Sequence, residues 1–359
     1  MNLTLVVITS FLVTLTLIPV VIRVFKSMNV LDKPDSRKIH SISTPSLGGI
    51  AMFIGLFLAL LFFVPFAELA NEKFFLGGVI LIFLLGVRDD LSSLQANHKL
   101  IVQLFAACLV VFLMDVKIQG LNGLFGVNTF GWYFDEIFTI VVIAIMTNAF
   151  NLIDGIDGLA GSIGLLISLA FCFLFTYVGY EFDAVLALGI SGAALAFLIY
   201  NWYPSKVFMG DTGSMMLGFI LTVLFVRYLS VPVELTGKVS PVALILSMFV
   251  LPTYDTLRVF MIRFFTGKHP LAPDRNHIHH VLLKLGLNHG QATILLVSYN
   301  ILLFVSVLVL QSLGDLWLIL SMTVLTVSIG LILDRKVMKR EAARTASLYS
   351  SRMDVSKTA

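Results

Sequence analysis

The sequence predicts an all-α, polytopic integral membrane protein with about eleven transmembrane helices, ten if the shortest run is discounted. Three observations carry that expectation. The 359 residues are 58% hydrophobic and only 13% charged, against roughly 45–50% and 25% in soluble domains. The apolar residues fall in runs close to the roughly 20 residues that a spanning helix needs. The basic residues between those runs alternate strongly from side to side, as the positive-inside bias requires.

Taken in order, the apolar runs are 2–25, 47–66, 74–87, 99–116, 136–150, 159–179, 184–203, 213–232, 240–261, 292–312 and 314–333. The first lacks a basic leader and an evident cleavage site, so a retained helix is expected there. The third and fifth runs are short and need flanking residues to span. Residues 1–333 then form a single transmembrane domain, and 334–359 a basic tail expected to be unstructured. Cys108 and Cys172 sit inside apolar runs and read as packing residues, not a disulfide or a metal site.

Placing the amino terminus outside (periplasmic) puts loops 26–46, 88–98, 151–158, 204–212, 262–291 and the tail inside. Those segments hold seventeen Lys and Arg residues, against Lys73, Lys117 and Lys238 in the outside loops. The same parity sends every unusual polar cluster to the inside, which charge counting alone did not demand. No internal repeat supports an inverted-repeat transporter.

Four clusters carry the chemistry. In Gly86-Val-Arg-Asp89-Asp90, two adjacent carboxylates repel unless a cation or proton lies between them; a solvated helix end is the plainer account. In Asn148-x-x-Asn151-x-x-Asp154-Gly-x-Asp157-Gly158, the spacing places polar groups on one side of a turn with no basic partner nearby. Capping of the next helix by Asp157 would explain one of these residues only. Asn201 through Phe208-Met-Gly-Asp211-Thr-Gly-Ser214 opens an apolar helix with free amides suited to a phosphate. His269-Pro-Leu-Ala-Pro-Asp-Arg275-Asn-His277-Ile-His279-His280 lacks cysteine and standard zinc spacing, and reads better as an anion clamp. Asp255 stands three residues before Arg258, and an i,i+3 salt bridge is its plainest role.

Carboxylates without thiols favour a hard cation, Mg²⁺ or Mn²⁺ as a substitute. Metal, basic residues and a helix amino terminus together are the kit of phosphoryl transfer. A site at the membrane face implies one lipid-borne and one soluble reactant.

With these motifs assembled, the chain resembles the polyprenyl-phosphate N-acetylhexosamine-1-phosphate transferases from the first helix to about residue 290. The matching segments are Asp32-Lys-Pro34 with Arg37-Lys38-x-His40, Pro45-x-x-Gly48-Gly49, Asp89-Asp90, Asn148 to Gly158, Phe208 to Ser214, and Pro273 to His280. The last is similar to the branch that uses UDP-N-acetylglucosamine, and differs from the branch that transfers phospho-N-acetylmuramoyl-pentapeptide. The resemblance implies transfer of N-acetylglucosamine 1-phosphate from UDP-GlcNAc to undecaprenyl phosphate, giving UMP, in the inner membrane. The product lipid would prime O-antigen, common-antigen or teichoic-acid synthesis.

It further implies catalytic roles for Asp89, Asp90 and Asp211, with Asp89 the suggested base, and Mg²⁺ bound by Asp211, Asp154 and Asp157. Lys38, His40, Asn151, Asp154, Asp157, Asn201, Phe208, Arg275, His277, His279 and His280 would contact substrate, Phe208 stacking on uracil. Implied partners are the UDP-sugar, the lipid phosphate and the bilayer, with a homodimer compatible and no nucleic acid. The rivals are the same reaction with another UDP-N-acetylhexosamine, a phospho-N-acetylmuramoyl-pentapeptide transferase, a transporter with Asp115, Asp255 and Asn300 as an ion path, and a non-catalytic scaffold that keeps the fold.

Overall fold

A computed structural model describes residues 1–27, 44–121, 123–131, 133–236, 241–267 and 276–357, with side chains described no further than 343. Lys38, His40 and Arg275 lie outside the described residues.

The architecture is all-α. In chain order the helices are α1 (Leu3–Ser27), α2 (Gly48–Phe63), α3 (Phe66–Asn71), α4 (Lys73–Leu91), α5 (Ala96–Met114), α6 (Phe134–Leu152), α7 (Leu159–Val178) and α8 (Glu181–Asn201). There follow α9 (Gly210–Leu229), α10 (Val233–Thr236), α11 (Pro241–Met248), α12 (Val250–Phe265), α13 (Ile278–Lys284), α14 (His289–Leu310) and α15 (Asp315–Lys357). Each expected apolar run falls on a helix, or at 240–261 on a bent pair. Among the described residues eight helices are individually long and apolar enough to cross a membrane, and the bent pair makes a ninth if it counts as one span. Helix α2 is shorter, at 16 residues. Helix α4 carries Lys73, Arg88, Asp89 and Asp90 at its ends. The chain is a multi-pass membrane protein.

Helix α9 is the centre. It is apolar on all sides and buried along nearly its whole length, as a helix surrounded by other helices must be. Helices α2, α4, α6, α7 and α8 pack around it. Without a hydrophobic drive between helices in lipid, close approach depends on small residues. Gly86 of α4 lies against the backbone of Thr212, and Gly49 of α2 against Gly213, so closely that a Cβ at either would collide. Segment 45–49 is also tied to the chain entering α9, through Phe208 N–H to Pro45 O at 2.8 Å, Gly48 N–H to Phe208 O at 3.0 Å and Gly49 N–H to Met209 O at 3.0 Å.

At the far end of α9, Arg227 is buried between Asp183, at 2.7 Å, and Glu72, and lies over the rings of Phe75 and Phe182. A buried guanidinium flanked by two carboxylates and two aromatic faces meets the requirement that intramembrane charge be paired.

Four boundaries differ from expectation. Asp89 and Asp90 belong to the last turn of α4, not to a loop. Helix α9 begins at Gly210, three residues early, which puts Asp211 in its first turn. The run at 240–261 breaks at Phe249 with a bend of 72°. Pro252 has no N–H to offer the Met248 carbonyl, and the Asn300 side chain donates to it instead at 3.1 Å. Finally, α15 continues past 333, so residues 334–343 are helical where a loose tail was expected. Their Lys, Arg, Glu, Ala and Met content is that of a strong helix former.

Candidate active site

The amino end of α9 and the carboxyl ends of α4, α6 and α8 meet around one cavity of ≈ 300 Å³. Asp89, Asp90, Asn151, Asp154, Asp157, Asn201, Phe208 and Asp211 all line it, with Ser46, Ser93, Gly155, Ile156 and Gly210. Every described residue that the sequence proposed from the first three clusters is therefore brought together.

The roles divide once the hydrogen bonds are followed. Asp90 accepts from Asp211 N–H at 2.9 Å, Thr212 N–H at 3.0 Å and the Thr212 hydroxyl at 2.6 Å. The amides that the sequence offered to a phosphate are thus already satisfied by Asp90, which acts as the cap of α9. This geometry needs a sharp entry: Gly210 sits at φ +71 with the Ser46 carbonyl where a Cβ would be. Asp89 accepts from Leu94 N–H at 2.6 Å and pairs with Lys99. The Lys99 ammonium also meets Asp211 at 2.6 Å, so one cation bridges two motifs more than a hundred residues apart.

Asp157 is not a helix cap; α7 follows Gly158, which has no side-chain cap. Its carboxylate takes Ser205 N–H at 3.2 Å and faces His289 Nδ1 at 3.3 Å. Burial pushes its pKa up, but the His289 hydrogen bond and charge, with the Ser205 contacts, outweigh that and hold it below the ordinary value. Asn201 is a brace: it accepts from Gly158 N–H at 2.9 Å and donates to Val207 O at 2.8 Å. The Ser214 hydroxyl lies 2.9 Å from both Asn151 Oδ1 and Gly210 O.

Asp154 differs from its neighbours. Its carboxylate makes no hydrogen bond or ion pair among the described residues. Burial, then the charges of Asp211, Asp90 and Asp157, push its pKa well above the ordinary value. A carboxylate so placed holds a proton or awaits a cation. Among the described residues the donor set fits a hard divalent ion: five carboxylates, hydroxyls, no thiol, and a single ammonium. No three His, Cys, Asp or Glu groups converge on one point among the described residues. Mg²⁺ does not need such convergence, since it is commonly held by one or two carboxylates with water and substrate phosphates.

The His motif adjoins the cavity from below. His279 is buried, with neither ring nitrogen partnered among the described residues, and its ring packs under Gly155. Burial, then the neighbouring His rings, lower its pKa far below the ordinary value, so it is neutral. His277 and His279 stack with centroids 5.6 Å apart, and His280 lies 4.3 Å from His279. Asp255 does not pair with Arg258. It takes His277 Nδ1 at 2.9 Å and Ile278 N–H at 2.7 Å, capping α13, while Arg258 turns to Asp334 and the Asn276 carbonyl.

Sequence reasoning missed Lys99, His289 and the part played by Asp255. The available signal for Lys99 was a lone ammonium at the inner end of an apolar helix, which lipid tolerates only beside a partner. His289 carried none, standing apart from the His motif at a helix start.

Comparison with known proteins agrees with the motifs. Residues 73–229 match Glycosyl transferase family 4. The chain is 33% identical over 314 residues, 87% of its length and 85% of the relative's, to a probable undecaprenyl-phosphate N-acetylglucosaminyl 1-phosphate transferase of Bacillus subtilis (strain 168). A decaprenyl-phosphate N-acetylglucosaminephosphotransferase of Mycolicibacterium smegmatis is 32% identical over 292 residues, 73% of this chain and 71% of that one. The undecaprenyl-phosphate alpha-N-acetylglucosaminyl 1-phosphate transferase of Escherichia coli (strain K12) is 27% identical over 289 residues, 76% and 74% of the two chains. With an acidic cavity assembled from the very motifs that suggested the resemblance, the chain belongs to glycosyl transferase family 4.

Proposed function

We propose that this protein transfers N-acetylglucosamine 1-phosphate from UDP-GlcNAc to undecaprenyl phosphate, releasing UMP, at the cytoplasmic face of a bacterial inner membrane. The observation that carries the reading is the cavity at the amino end of α9, lined by five carboxylates of which Asp89 and Asp211 share the Lys99 ammonium. The relatives' names point to the same reaction, and the Lys and Arg bias supports the cytoplasmic side.

In the reaction, a lipid phosphate oxygen attacks the sugar-bearing phosphorus of UDP-GlcNAc. That P–O bond forms as the bond to the UMP phosphate oxygen breaks, and UMP leaves with the electron pair. A phosphate monoester has its second pKa near 6, so the nucleophile is largely a dianion at neutral pH. A strong base is not required. Asp89, engaged by Lys99 and Leu94 N–H, is suited to fixing Lys99 at the lipid phosphate and not to taking a proton. This supports direct attack, without a covalent enzyme intermediate.

Mg²⁺, held by Asp211 and Asp154 with Asp157 close by, would neutralise diphosphate charge. Phe208 offers a ring to uracil at the cavity wall. The transporter alternative fares poorly: Asp115 pairs with Lys117, Asp255 is taken up by His277 and the Ile278 amide, and the Asn300 amide serves the helix break.

The test is UMP release by purified protein with Mg²⁺, undecaprenyl phosphate and a panel of UDP-sugars. UDP-GlcNAc should give UMP, and EDTA should abolish it. Turnover of another UDP-N-acetylhexosamine alone would move the reading to that sugar; no UMP from any would overturn it. UMP released before lipid addition would refute direct attack.

A further inference from the structure

The His motif is anchored from an unexpected direction. Three consecutive residues, Asn276, His277 and Ile278, are held by two residues one turn apart on α12. Arg258 donates to the Asn276 carbonyl, and Asp255 takes His277 Nδ1 at 2.9 Å and Ile278 N–H at 2.7 Å. Arg258 is in turn paired with Asp334, on the part of α15 that lies beyond the apolar run. The same stretch of α15 grips α13 again further on. Val337 is buried, the Arg340 guanidinium lies over Gly286, and Glu341 meets Lys284 at 3.5 Å.

From α13 the chain of contacts reaches the cavity. His279 packs under Gly155, which lines the cavity between Asp154 and Asp157. A shift of α13 therefore moves the loop that carries two of the carboxylates.

We propose that Arg258 and Asp334 are positioning residues, through which the carboxyl-terminal helix sets the His motif against the nucleotide-sugar side of the cavity. Neither touches the cavity. This inference rests on the proposed transfer reaction and adds to it a part of the chain beyond the motifs. Lost placement of about an ångström is enough to cost up to about a hundredfold in such systems. On that reading the His motif serves the nucleotide sugar, so the cost is expected on that substrate alone.

The experiment compares full-length wild type, Asp334→Ala, Asp334→Asn and Asp334→Glu in the UMP-release assay, each eluting as the same monodisperse species. KM is measured separately for UDP-GlcNAc and undecaprenyl phosphate. Removing the carboxylate should raise KM for UDP-GlcNAc about tenfold, leaving KM for the lipid phosphate within twofold. Asp334→Glu, which can still reach Arg258, should restore most of the loss. A merely structural contact would lower the active fraction, and so kcat, with both KM values unmoved. That result, or a parallel rise in both KM values, overturns the proposal. If Asp334→Ala does not fold, the near-isosteric Asp334→Asn decides by the same criteria. Absence of UMP from wild type refutes the reaction and this inference with it, whereas an active wild type with unshifted variants refutes the inference alone.

Discussion

Replacing Lys99 with Met removes the ammonium that joins Asp89 to Asp211 while keeping most of the stem's volume. Two consequences of opposite sign follow. Taking one partner from a fully buried ion pair costs about 3–5 kcal/mol. Lys99 and Asp211 are 21% and 27% exposed, so solvent brings the cost down to about 2–3 kcal/mol. Expressed in the transition state, that is a loss of roughly a hundredfold in kcat/KM. Metal binding should improve, however. A divalent cation on the Asp211 carboxylate would lie about 4–5 Å from Nζ, where even water-like screening leaves about 2 kcal/mol of repulsion. Lys99→Met should therefore reach half-maximal rate at roughly tenfold less Mg²⁺ or below, while Lys99→Arg should not. Mg²⁺ titrations of UMP release read both quantities. An Mg²⁺ requirement that is unchanged or higher in Lys99→Met would show that the ammonium and the metal do not share these carboxylates.

Gly86→Ala should lower the thermal midpoint, since its Cβ meets the Thr212 backbone; about 1–3 kcal/mol is expected. Gly77→Ala on the same helix, with open space around it, is the control and should be neutral or slightly stabilising. Asp90→Ala leaves the first amides of α9 uncapped and should cost about 1–2 kcal/mol in thermal unfolding, with no loss if the cap is unimportant. Asp154 gives a pH signature. Its folded pKa lies above its unfolded value, so between those values the folded state holds the extra proton. Stability of the metal-free protein should therefore fall as pH rises from about 4 through the folded pKa. Mg²⁺ should flatten that slope, and Asp154→Asn should lessen it, since other buried acids of the cavity remain; a slope undiminished in the variant would exonerate Asp154.

The helices and the site motifs were legible because lipid and metal chemistry leave plain marks. Long apolar runs have one physical use, and acids without basic neighbours have few. What stayed hidden depends on pairing across distance. Nothing local says that Asp90 faces the amides of Asp211 and Thr212, since the Gly-Asp-Thr-Gly-Ser turn reads equally well as a phosphate cradle. The break at Phe249 was masked by an unbroken apolar run, and its repair comes from Asn300, fifty-odd residues later in the chain. Asp255 was misassigned because Arg258 stood at helical spacing on the same face. Spacing shows who could meet, not who has a better partner elsewhere.

The two charged ends of α9 have a mechanical consequence. Asp90 holds the first turn at 2.9 Å and 3.0 Å, and Asp183 holds Arg227 in the last turn at 2.7 Å. A slip of one residue along the axis is about 1.5 Å, enough to unseat both fastenings at once. The central helix thus behaves as a keyed shaft, fixed in register against α4 and α8. Any opening and closing during turnover must leave that register intact, and so falls to helices other than α4, α8 and α9.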